Sequence, residues 1–161
     1  IGSLLWRWLA PLRYRGPSRL AAVYLLACLI VGPGLVTNTL LKDHWGRARP
    51  SHTVEFGGDR DYGPPLLIGD QCLRNCSFVA GDPSVGFYFI AFALAFPRRR
   101  WRWLGLGLGL GAAIGLVRIL QGGHFLSDVV FSGVVNAMVF VLLYWVLLAL
   151  WPAGRGGRRT G

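Results

Sequence analysis

The stretch Lys42-Asp43-His44-Trp45-Gly46-Arg47-Ala48-Arg49-Pro50 places three cations within eight residues. A single lysine after an apolar run fits a snorkelling anchor. Three cations together also make an anion cradle, because a guanidinium fork matches the oxygens of a phosphate. A second cluster runs Arg118-Ile119-Leu120-Gln121-Gly122-Gly123-His124-Phe125-Leu126-Ser127-Asp128. If a helix resumes after Gly122-Gly123, His124 and Asp128 share one face at i and i+4. A carboxylate there can accept the Nδ1–H of the imidazole and leave Nε2 free as a nucleophile or base. The plainer alternatives are a helix-end anchor for Arg118 and a dipole-favoured helix start for Asp128. Ionisable groups at the mouth of a membrane span favour the functional reading. A third stretch, Ser77-Phe78-Val79-Ala80-Gly81-Asp82-Pro83-Ser84, has Asp82 before Pro83. That order predicts a helix N-cap and a first helical residue, and such a start also suits a phosphate.

The elements that must hold these residues are read from composition and periodicity. Of 161 residues, 53% are hydrophobic and only 15% charged, yet the net charge is +10. A soluble basic domain that binds nucleic acid would interleave its charges with polar residues. Here they lie between long apolar runs, which predicts an all-α polytopic membrane bundle. Four spans are expected: Leu20–Leu41, Ser84–Pro97, Trp103–Leu120 and Val129–Trp151. The third reads GLGLGLGLGAAIG, and its small residues predict a packed inner helix. Residues 1–19, with Pro11 and Pro17, read as an interfacial lead-in, and 152–161 as a basic tail. The whole of 1–161 is expected to form a single membrane domain.

Charge sets the orientation. Residues 1–19, 97–102 and 152–161 hold eleven of the 17 bases and no acid. The positive-inside rule makes that side cytoplasmic. Every acid and every His falls on the other side, which predicts a site facing the periplasmic side of an inner membrane. Cys72 and Cys76 lie on that oxidising side, so a disulfide between them is possible, whereas Cys28 is a small apolar residue within a span. Residues 51–70 read as a polar loop over the site that could contact a head group. No metal-ligand spacing occurs, and no cofactor is expected.

These clusters, in this order, resemble the type 2 phosphatidic acid phosphatase family, whose signature is K-x6-R-P, then P-S-G-H, then S-R-x5-H-x3-D. Lys42 to Arg49-Pro50 matches the first motif, and Arg118, His124 and Asp128 match the third, with Val117 where Ser is usual. Members usually have six spans, so the resemblance implies a fragment lacking two N-terminal spans, as does the start at Ile1. It further implies that His124 attacks phosphorus and forms a phosphohistidine, with Asp128 orienting it. Lys42, Arg49, Arg118 and the Gly81 N–H would bind the phosphate of a lipid substrate. The middle motif departs: Ala80 stands for the family's Ser, and Asp82 for the His that acts as general acid. Aspartic acid ordinarily titrates near pH 4, which suits a substrate with a good leaving group or a carboxyl protonated on substrate binding. Ala80 and Asp82 also admit a second expectation, a weak or inactive lipid-phosphate-binding member.

Overall fold

A computed structural model describes residues 18–149. The basic tail and nearly all of the lead-in lie outside the described residues. Among these residues the regular structure is helical, with one isolated bridge between Thr53 and Arg60. Four helices form a membrane bundle: α1 (Arg19–His44), α2 (Gly81–Ala95), α3 (Pro97–Leu120) and α4 (Leu126–Leu147). By length and composition α1, α3 and α4 can each cross a membrane, while α2 is shorter.

Helix α1 follows from its apolar run but is not uniform. From Ile30 to Leu41 it widens to π geometry around Pro33, which has no N–H to give the preceding turn. In this wide stretch Asn38 Nδ2 donates to the Pro33 carbonyl at 2.7 Å. The helix continues three residues past the expected Leu41, so Lys42 sits on its last turn. Helix α2 begins three residues before the expected Ser84 and has a break at Tyr88. Helix α3 starts six residues early and takes Arg98–Arg102 into its first turns.

The glycine-rich helix is not an inner one. Gly107, Gly111 and Gly115 lie buried on one face, while Leu106, Leu108 and Leu110 are exposed on the other. A Cβ on Gly111 would meet the Phe87 ring at 2.3 Å, whereas one on Gly109 would meet nothing. Alternate spacing puts glycines on both faces of a helix. Within the 107–111–115 stripe Gly107 and Gly111 let α2 approach and Gly115 lets Val129 of α4 approach, and the leucine face is left for lipid.

The core between α1, α2 and α4 holds Tyr24, Cys28, Ala91, Ala95, Phe140 and Tyr144. The Tyr24 hydroxyl donates to the Phe140 carbonyl at 3.1 Å. Nearer the middle, Asn136 Nδ2 donates to Thr37 Oγ1 at 2.9 Å and ties α4 to α1. The long 45–80 connection and the 121–125 turn meet at one end: Ser51 N–H bonds the Gly122 carbonyl at 3.0 Å, and Ala80 N–H the Asp128 carbonyl at 3.2 Å. All three sequence clusters therefore converge at that end.

Candidate active site

His124 and Asp128 are both fully buried where α3 turns into α4. The helix resumes at Leu126 with Phe125 as its N-cap, so His124 precedes it. His124 Nδ1 lies 2.7 Å from the Ser77 carbonyl. A carbonyl only accepts, so Nδ1 carries the proton, and the tautomer this selects has its lone pair on Nε2. Nε2 is shielded and has no protein partner. The expected direct bond from Asp128 to Nδ1 is corrected: the nearer carboxylate oxygen is 3.7 Å away, beyond hydrogen-bond reach. Starting the helix two residues after His124 lets the backbone of Ser77 reach the ring first.

Asp128 is instead the hub of a buried network. Its Oδ1 accepts from Arg47 Nη1, and its Oδ2 from the Ser77 hydroxyl and the Phe125 N–H. The last bond caps α4, since Asp128 is the third helical residue and reaches back to the N-cap N–H. Arg47 is 1% exposed. It also donates to the Gly63 carbonyl at 2.7 Å and to Ser127 Oγ at 2.9 Å, and its guanidinium stacks 4.2 Å from the Phe125 ring centre. Arg47 therefore does not join the anion cradle that the cation cluster led us to expect. Residues 46–49 are irregular, with Gly46 at a φ of +71°, and within them Arg47 turns in to Asp128 while Arg49 bonds the Asn75 carbonyl. Neither that difference nor the Ser77 carbonyl, a backbone group, leaves a signal in residue type or spacing.

The remaining cations do converge. Lys42, Arg49, Arg118 and Asp82 lie within electrostatic reach of one another. Arg118 Nε stands 2.7 Å from Asp82 Oδ2, and its Nη1 donates to Gln121 Oε1 at 2.9 Å. Burial, and then the neighbouring Arg118, hold the Arg49 guanidinium below its usual value, with Asp82 opposing. Arg49 donates from Nε and Nη2 to the Asn75 carbonyl, at 3.3 and 3.0 Å. The N-cap of α2 is Ala80, and Asp82 sits inside the first turn without capping it. Its carboxylate is free to turn toward Arg118. At Gly81 a Cβ would come within 2.2 Å of Asn38 Oδ1 and 3.1 Å of Lys42 Nζ. Only glycine fits beside the lysine.

Cys72 and Cys76 form a disulfide. The loop it closes is bonded to the first motif, with Asn75 N–H on Asp43 Oδ1 at 3.0 Å and Cys76 N–H on the Lys42 carbonyl at 2.9 Å. The 51–70 loop closes over Arg47 through Tyr62 and Gly63, and His52 reaches a polar cavity of about 430 Å³ beside Arg49 and Arg118. Adjoining it at Ser51 and Gln121, a cleft of about 510 Å³ runs past His124 between Phe56, Leu120 and Leu126, all three well exposed.

The sequence has known relatives. A lipid A 4'-phosphatase of Francisella tularensis subsp. novicida (strain U112) is 44% identical over 86% of this chain and 61% of its own length. A lipid A 4'-phosphatase of Rhizobium leguminosarum is 34% identical over 73% of this chain and 51% of its own. A lipid A 1-phosphatase of Rhizobium johnstonii (strain DSM 114642 / LMG 32736 / 3841) is 36% identical over 74% and 45%. The chain thus spans roughly half to three fifths of these relatives. No solved structure matches it. The PAP2 superfamily model covers residues 4–152, and the chain belongs to that family.

Proposed function

We propose that the protein is an integral-membrane phosphatase that hydrolyses a lipid phosphate or diphosphate through a phosphohistidine on His124. The observation that carries this reading is the His124 ring: Nδ1–H is committed to the Ser77 carbonyl, and Nε2 is buried without a partner. Nε2 attacks phosphorus, and the P–O bond to the lipid breaks as the P–N bond forms. Positive charge spreads onto the ring, where Asp128 supplies the countercharge. Lys42, Arg49 and Arg118, with the Gly81 N–H, hold the phosphate oxygens.

Asp82 supplies the leaving-group proton. The arriving phosphate replaces it as the partner of Arg118, and beside that dianion the released carboxyl takes up a proton and passes it to the departing oxygen. In the second step water attacks phosphorus, its proton goes to Asp82, the P–N bond breaks and Nε2 recovers its lone pair. Three cations neutralise the phosphate, so the reaction runs without a metal and EDTA leaves turnover unchanged.

The apolar cleft beside His124 supports a lipid substrate, and the lipid A phosphatase relatives make a lipid A phosphate the first to assay. The arginine clusters in 97–102 and the tail support an orientation with the site on the periplasmic face of the inner membrane. The test is phosphate release by the full-length protein in detergent from a panel of lipid phosphates. Release that depends on His124, and is lost in His124→Ala, supports the reading. Equal release by both proteins contradicts it. Bound lipid phosphate without release from any member marks a binding protein instead.

A further inference from the structure

Beside the phosphate-binding cations, the 430 Å³ cavity carries more positive charge than one phosphate group requires. Arg49 and Arg118 stand on its wall, and Arg74, His52, Asn75 and Gln121 extend it away from them. No carboxylate lines it. Among the described residues the Arg74 guanidinium has no hydrogen bond or ion pair. The volume lies within the roughly 300–1,000 Å³ of whole small-molecule sites, larger than a phosphate group alone would fill.

The wall bearing Arg74 is also fixed. The Cys72–Cys76 disulfide closes the loop around it. The next residue, Asn75, is bonded to Arg49 through its carbonyl and to Asp43 through its N–H. Arg74 is thus presented at a set place relative to the phosphate site, and less loop ordering is needed on binding.

Resting on the proposed phosphatase reading, we infer that this cavity is a second subsite, taking the polar remainder of the substrate: a sugar or polyol head group that bears a second anionic group, met by Arg74 and His52. Acyl chains then lie in the adjoining apolar cleft past His124.

The test uses the full-length protein in mixed micelles and two substrates, a bisphosphorylated glucosamine disaccharide lipid and its counterpart lacking the phosphate distal to the scissile one. Steady-state phosphate release gives KM and kcat for wild type, Arg74→Gln and Arg60→Gln. Arg60 is a control arginine in the same outer loop but away from the cavity lining. The subsite predicts that wild type prefers the bisphosphorylated lipid through KM. Arg74→Gln loses about tenfold or more of that preference, as expected for one charge-assisted contact, and Arg60→Gln keeps it. No preference in wild type, a preference that survives Arg74→Gln, or an equal loss in Arg60→Gln overturns the subsite while the phosphatase reading stands. Release from neither lipid by wild type would overturn the phosphatase reading. Equilibrium binding of the same two lipids to wild type and Arg74→Gln then decides the subsite by the same ratio.

Discussion

Arg47 is the residue whose removal distinguishes holding Asp128 in place from binding phosphate. Arg47 and Asp128 are paired with both side chains fully buried. Arg47→Gln deletes the charge and leaves Asp128 ionised and enclosed, supported only by the Ser77 hydroxyl and the Phe125 N–H. Breaking such a pair from one side costs about 3–5 kcal/mol. At about 2–4 °C per kcal/mol for a chain of this size, the unfolding midpoint should fall by roughly 6–20 °C. Thermal unfolding in detergent, followed by tryptophan fluorescence, measures it. Asp128→Asn added to Arg47→Gln removes the stranded charge. The double variant should therefore be more stable than the sum of the two single losses by about 1.5 kcal/mol or more. Activity should separate in parallel. Arg47→Gln lowers kcat at least tenfold through the loosened Asp128–Ser77–His124 arrangement, whereas Arg49→Gln raises KM and leaves the midpoint nearly unmoved. Additive stability losses, or a KM effect equal to that of Arg49→Gln, would refute the assignment.

Other residues give sharp contrasts. Asp82→Asn removes the anion paired with Arg118, so inorganic phosphate should inhibit several-fold more tightly while turnover of lipids with poor leaving groups falls; isothermal titration and a leaving-group series measure the two effects. Asp82→His should recover turnover on the poor leaving groups. Gly111→Ala drives a methyl into the Phe87 ring and should destabilise the α2–α3 contact by about 1–3 kcal/mol. Gly109→Ala meets open space and should be neutral or stabilising by up to about 1 kcal/mol. Detergent melting curves compare the two directly.

The sequence carried the parts of the site that depend on residue type and spacing. Lys42 to Arg49 and Arg118 to Asp128 kept their order because loops at one end of a helical bundle bring them together. What depended on backbone direction was less legible. Arg47 and Arg49 are alike as residues, and only the irregular path of the chain between them sends one to Asp128 and the other to the Asn75 carbonyl. The i, i+4 spacing that pairs Asp128 with His124 presumes helix, but the chain turns at Phe125 and the Ser77 carbonyl takes the Nδ1–H. The glycine helix failed for a related reason: composition shows small residues, and only the approach of α2 reveals which face uses them.

The central chemistry is testable at one atom. The full-length protein, mixed with a lipid phosphate that it turns over and quenched within a turnover in base, should carry an acid-labile, base-stable phosphoryl group. Mass spectrometry of the digest should place it on the peptide containing His124, and it should be absent from His124→Ala. Turnover with no such adduct at any quench time, or an adduct on another residue, would contradict attack by His124 Nε2.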